Sequence, residues 1–217
     1  MYKRQGVLLG DQASLVLTHS RVASNLAYSS GGSVSGGGIA TLSPNGSTLQ
    51  LSSTIVSQNT ARTDGYISYG GGIFTTGEYD HKSTLIMDNN SVVKDNVSES
   101  SVNQALGGGA LIYHTEASIE NTDFTSNVAL TTGDMDAARG GAVYMVEAAV
   151  TMDNVTLEEN LAQCDGSNST VEGGAIFASA DTDYTSLDLK NSLVQSNKII
   201  GYHNRGGAVH LLGVSTV

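Results

Sequence analysis

Short runs along the chain alternate apolar and polar residues with a period of two. They read Ser-Leu-Val-Leu at 14–17, Thr-Leu-Gln-Leu at 48–51, Ala-Val-Thr-Met at 149–152 and Ser-Leu-Asp-Leu at 186–189. Period two is the mark of a strand with one buried face. A second unit, an apolar residue with Asn three later, recurs at Val22/Asn25, Val56/Asn59, Val93/Asn96, Phe124/Asn127, Leu157/Asn160 and Val194/Asn197. A third, Gly-Gly-small-aliphatic, begins at Gly36, Gly70, Gly108, Gly140, Gly173 and Gly206, at intervals of 34, 38, 32, 33 and 33 residues. The glycine and Asn units alternate strictly. One GG pair carries little information, but six interleaved pairs define a repeat.

Each repeat thus offers three short strands, at GGAΦ, ΦxΦ and ΦxxNxA. Stacked turn on turn, they predict an all-β fold, a right-handed parallel β-helix of the pectin-lyase-like type. It would have about six turns of roughly 33 residues. At about 4.8 Å per turn, the stack spans on the order of 25–30 Å. Ile39, Ile73, Leu111, Val143, Ile176 and Val209 are expected to form one inward column. Asn25, Asn59, Asn96, Asn127, Asn160 and Asn197 are expected to form an amide ladder. Asn suits it because it tolerates left-handed backbone and can bond to the next amide in the stack. The glycines permit a tight corner and close backbone approach. Side chains alternate faces, so the residue after each inward aliphatic points outward. Those residues are Ala40, Phe74, Ile112, Tyr144, Phe177 and His210, an expected exposed stripe suited to binding. Segments such as Arg62–Tyr69 and Leu130–Arg139 read as loops aligned along one edge, carrying Asp64, Glu99, Asp134, Asp136, Asp165 and Glu172.

Composition sharpens this picture. The 217 residues include 26 Gly, one Pro, no Trp and only 14% charged side chains, which does not suit a helical globule. The net charge of −11 disfavours a nucleic-acid partner. The single Cys164 excludes a disulfide framework, and no apolar run is long enough to span a membrane. Residues 1–5 (MYKRQ) are foreign to the repeat and read like the translated end of a transposon adapter. Without Lys3 and Arg4 the charge is −11 − 2 = −13. Residues 6–217 then form one domain, expected to be a fragment of a longer protein. Its uncapped ends predict self-association.

The units Gly140-Gly141-Ala142-Val143, Gly173-Gly174-Ala175-Ile176, Gly206-Gly207-Ala208-Val209 and Phe124-Thr125-Ser126-Asn127 resemble the repeats of the chlamydial polymorphic outer membrane proteins. Earlier copies depart, with Gly38 and Gly72 in place of Ala and Val in place of Phe. The resemblance covers residues 14 to 211. It implies an adhesin-like autotransporter passenger, secreted or displayed at the outer membrane, with a cell-surface protein or glycan as partner.

No motif in the sequence carries chemistry of its own. There is no Walker loop, HExxH, EF-hand or spaced Cys/His set. His19, His81, His114, His203 and His210 do not pair at metal-ligand spacing, so no metal, cofactor or catalytic residue is assigned. His19 stands where other repeats have Asn90, Asn121, Asn154 or Asn191 and reads as a corner residue. Sequons at Asn45, Asn89, Asn96, Asn154 and Asn168 are unremarkable in a Ser/Thr-rich chain, with Asn96 and Asn154 expected to be inaccessible in ladders. Two alternatives to an adhesin remain. A polysaccharide lyase or hydrolase would need facing carboxylates, for which Asp134/Asp136 and Asp181/Asp183 are the candidates. A cation-binding extracellular module would use the acidic loops. The series Arg139, Glu172 and Arg205, each just before its glycine, reads as charge compensation between turns.

Overall fold

The computed structural model describes residues 6–134, 136–180 and 184–214. Residues 1–5, and Asp181 and Asp183, lie outside them. The described chain contains no helix. It is a parallel β-solenoid of about six turns, roughly 33 residues apart.

Each turn passes through five stacked sheets, not three. Sheet I, the GGAΦ strand, has seven members, from Val7–Leu9 to Val209–Leu212. Sheet II (Ser14–Thr18 to Ser186–Lys190) holds the ΦxΦ runs, and sheet III (Arg21–Ala23 to Leu193–Gln195) the apolar residue before each Asn. Sheet IV (Leu26–Ser29 to Lys198–Ile200) begins in the NxA tail of the third unit and runs on, with sheet V (Val34–Ser35 to His203–Arg205), into the segment that the pattern reads as loop. Glu99 and Glu172 therefore sit on strands, and Glu172 is buried.

Sheets I, II and III enclose the aliphatic interior. Leu49, Leu85, Phe124, Leu157, Val143 and Ile176 are all fully buried there. Sheets IV and V close on each other over small residues, Ala27 and Ala61 near one end and Ala138, Ala162, Cys164 and Val171 near the other.

The inward column of sheet I differs from expectation at one turn. Ile73 pairs with Ala110, and Ala110 with Val143. The third glycine unit accordingly begins at Gly107, which has φ +64 like its counterparts Gly140 and Gly173. The column is Ile39, Ile73, Ala110, Val143, Ile176, Val209, and Leu111 faces outward.

The two motifs alternate because they touch across the coil. The first glycine of each unit turns the corner in left-handed backbone. A Cβ on the second would collide with the backbone of sheet IV's first residue, Val97 for Gly71 and Val128 for Gly108. A Cβ on the third would lie 2.9 Å from Asn59 Cγ at Gly38 and 3.0 Å from Asn127 Cγ at Gly109.

The Asn ladder runs unbroken from Asn25 to Asn197, with Nδ2-to-Oδ1 bonds of 2.9–3.0 Å between successive turns. Each Oδ1 also accepts the backbone N–H of the preceding Asn. Left-handed geometry falls instead on the residue before each Asn: Ser24, Gln58, Asp95, Ser126, Glu159 and Ser196, with φ from 54° to 58°. A second left-handed corner separates sheets II and III and includes His19, Asn90, Asn121, Asn154 and Asn191, which places His19 at a corner. Asn154 belongs to this exposed corner, donating to Asn121 Oδ1 at 2.7 Å, not to the buried ladder.

Candidate functional site

At the glycine corner sheet V ends and sheet I begins. The last residue of each sheet V strand and the second of each sheet I strand both point away from the interior. The corner then turns these two columns toward each other. Tyr69 and Phe74, five residues apart, have ring centroids 5.8 Å apart. The expected stripe is therefore the floor of a groove along the solenoid axis, not an exposed ridge. Phe74 is 7% exposed, Leu111 3% and Phe177 3%. Ile112 does not belong to it. Paired with Thr75 and Met145, Ile112 points inward and is 0% exposed. Leu111 takes its place, because the frame starts at Gly107.

The first half of the groove is apolar and open, with a volume of about 440 Å³. Ile67, Tyr69, Gln104 and Leu106 form the sheet V wall, and Phe74, Leu111 and Tyr144 the sheet I floor. Thr76, Tyr113 and Val146 form the far rim. Polar atoms reach it from Gln104, Thr76 and the three tyrosines, and among the described residues its lining holds no carboxylate. The half-buried Tyr69 hydroxyl is held above its ordinary pKa, chiefly by desolvation, with a hydrogen bond to Ser33 opposing.

The second half is closed and charged. Glu172 is 3% exposed and takes Arg139 Nε on Oε2 at 2.7 Å and Arg205 Nη1 on Oε1 at 3.2 Å. Arg139 Nη1 also reaches Gln104 Oε1 at 3.4 Å. The Arg139 guanidinium lies 5.3 Å from the Phe177 ring centroid, and Tyr144 stacks on Phe177 at 5.3 Å and 8°. His210 packs edge-on against Phe177. Its Nδ1 is 3.3 Å from Glu172 Oε1, within ion-pair range but outside hydrogen-bond alignment, and the atom is buried. Phe177 is thus enclosed by its neighbours, and Tyr144 marks where the open half meets the charged half.

Sequence reasoning found the sheet I column but missed Tyr69 and Leu106, because it took their segment for loop. Their position directly before a corner glycine was the available signal.

Elsewhere, Asp134 Oδ1 accepts Ser167 N at 2.8 Å and Ser167 Oγ at 3.0 Å, and these bonds hold its carboxyl below the ordinary range. Desolvation, then the charge of Asp134, raises that of Asp136, against a hydrogen bond from Thr131. Both lie on the connection between sheets IV and V, on the other side of sheet V from the groove. A buried pair at the corner between sheets I and II, His114 Nε2 to Glu147 Oε2 at 2.8 Å, joins two adjacent turns. Among the described residues, no three His, Cys, Asp or Glu side chains gather as a metal site, and no helix is long and apolar enough to cross a membrane.

A scan against protein-family models and searches of curated proteins and of solved structures found no match.

Proposed function

We propose that this chain is a non-catalytic, adhesive β-solenoid that acts at or outside the cell surface and binds glycans along the groove between sheets V and I. The observation that carries this reading is the open half of the groove. Its floor is apolar and aromatic, and its lining adds polar groups from Tyr69, Tyr113, Gln104 and Thr76. A pyranose ring has the matching character, with apolar C–H faces and hydroxyl edges. Aromatic side chains with a polar tip serve such mixed surfaces well. The repeat of about 4.8 Å per turn is also close to the length of one sugar unit. The resemblance to polymorphic outer membrane protein repeats supports export and display. A hydrolase would need two carboxylates facing across the cleft, and the described lining supplies none.

The test is binding to an oligosaccharide array and to cells, by the native chain and by a Tyr69→Ala/Tyr113→Ala variant with an unchanged circular dichroism spectrum. The variant is expected to lose most binding. Equal binding by both proteins overturns the assignment of the groove.

A further inference from the structure

We infer that the sugar bound in this groove is acidic, and that Arg139 reads its carboxylate. The inference rests on the glycan reading above and names the ligand class for that site. Asp and Glu outnumber Lys and Arg 21 to 10 in this chain. The open half of the groove, with no carboxylate among its described lining residues, does not add to the repulsion of an acidic ligand. The groove's charged end carries two guanidinium groups and one carboxylate, and that carboxylate is consumed. Glu172 is 3% exposed, with each oxygen bonded to a different arginine.

Glu172 therefore acts as a holder. It takes Arg139 through Nε, and Gln104 takes the same side chain through Nη1 at 3.4 Å. Gln104 itself lines the open half. The guanidinium is thus fixed next to the cavity, with one arginine charge in excess over Glu172. A preorganised arginine binds a carboxylate with direction as well as charge. The asymmetry of the groove sets the orientation: neutral sugar over Phe74 and Leu111, acidic sugar toward Tyr144 and Arg139.

The experiment uses matched pairs: hyaluronan, oligogalacturonide and sialyllactose fragments, each beside its carboxyl-reduced neutral form, measured by calorimetry on the full chain. At least one acidic member is expected to bind roughly tenfold more tightly than its reduced form, with the difference shrinking as salt rises. Arg139→Gln/Glu172→Gln, which removes the pair together and leaves no bare buried charge, is expected to bind both members of that pair alike. Arg139→Lys is expected to keep part of the preference.

If the reduced forms bind as well as the acidic ones, the acidic ligand is overturned and the glycan groove stands. If the double variant retains the preference, the role of Arg139 is overturned and the acidic ligand stands. If no member of any pair binds, both readings fall, and a protein partner becomes the occupant to seek.

Discussion

Replacing Asn127 with Leu tests whether the amide ladder supports the fold. Asn127 is fully buried and makes four side-chain bonds. Its Oδ1 accepts Asn96 N at 3.2 Å and Asn96 Nδ2 at 3.0 Å, and its Nδ2 donates to Val93 O at 2.9 Å and Asn160 Oδ1 at 3.0 Å. Some partners survive the change. Asn160 Oδ1 keeps the backbone N–H of residue 127, and Asn96 Nδ2 keeps Val56 O. The Asn96 backbone N–H and one hydrogen of its amide are orphaned. At about 1–3 kcal/mol each, these cost roughly 2–6 kcal/mol. Burial of the leucine side chain offsets about 1.5–3 kcal/mol, but crowding adds about 1–3 kcal/mol, because Asn127 lies tight against Gly109. The expected net loss is about 3 kcal/mol. For a chain of this length that is a fall of roughly 6–12 °C in melting temperature. Asn25→Leu is the internal control: Asn25, half-buried at the ladder's first turn, donates its amide to Asn59 Oδ1, which keeps the backbone N–H of residue 25, so no buried donor loses its acceptor. Thermal melts followed by circular dichroism should separate the two variants clearly. Equal melting temperatures, or a loss below about 0.5 kcal/mol for Asn127→Leu, refute a structural role for the ladder.

Other outcomes follow from the same structure. Gly140→Ala puts a Cβ at φ +63 against the Val143 carbonyl oxygen and should cost well over 1 kcal/mol. Gly207→Ala, with nothing within 4 Å, should leave the melt nearly unchanged, and matching melts would contradict the corner geometry. Ile112→Ala should cost about 2–4 kcal/mol as a core truncation, so a surface-like effect in chemical denaturation would restore Ile112 to the outward stripe. The Tyr69 pKa is raised in the folded chain. Its contribution is therefore complete below the unfolded value of about 10 and lost as pH rises through the folded one. The melting temperature should fall with alkalinity above that point, and Tyr69→Phe should flatten the fall. An unchanged pH profile in the variant would remove Tyr69 as its source.

Several features were legible in the sequence because they are local and repeated. The period-two runs announced sheet II, the Val-x-x-Asn spacing announced sheet III and the ladder, and the interval near 33 residues announced stacked turns. The positive-φ corner at His19 was also legible, from the residues that share its place in other repeats. Sheet V was not, because its strands are only two or three residues long, and sheet IV showed only as the NxA tail of the third strand, because its inward positions are Ala27, Ala61, Ser98, Ala129 and Ala162. Small residues give no contrast between inside and outside, so no period can show.

The frame of the third repeat was ambiguous for a different reason. Gly107-Gly108-Gly109 offers two registers, and only pairing with the turns on either side selects Gly107. That choice put Ile112 in the core and Leu111 in the groove. Alternation alone told that Phe74, Tyr144 and Phe177 face away from the interior. Whether such side chains meet water depends on what lies opposite. Sheet V, folded back across the glycine corner, supplies Tyr69, Leu106 and the Arg139–Glu172 pair, and that contact turned an outward stripe into a half-closed groove.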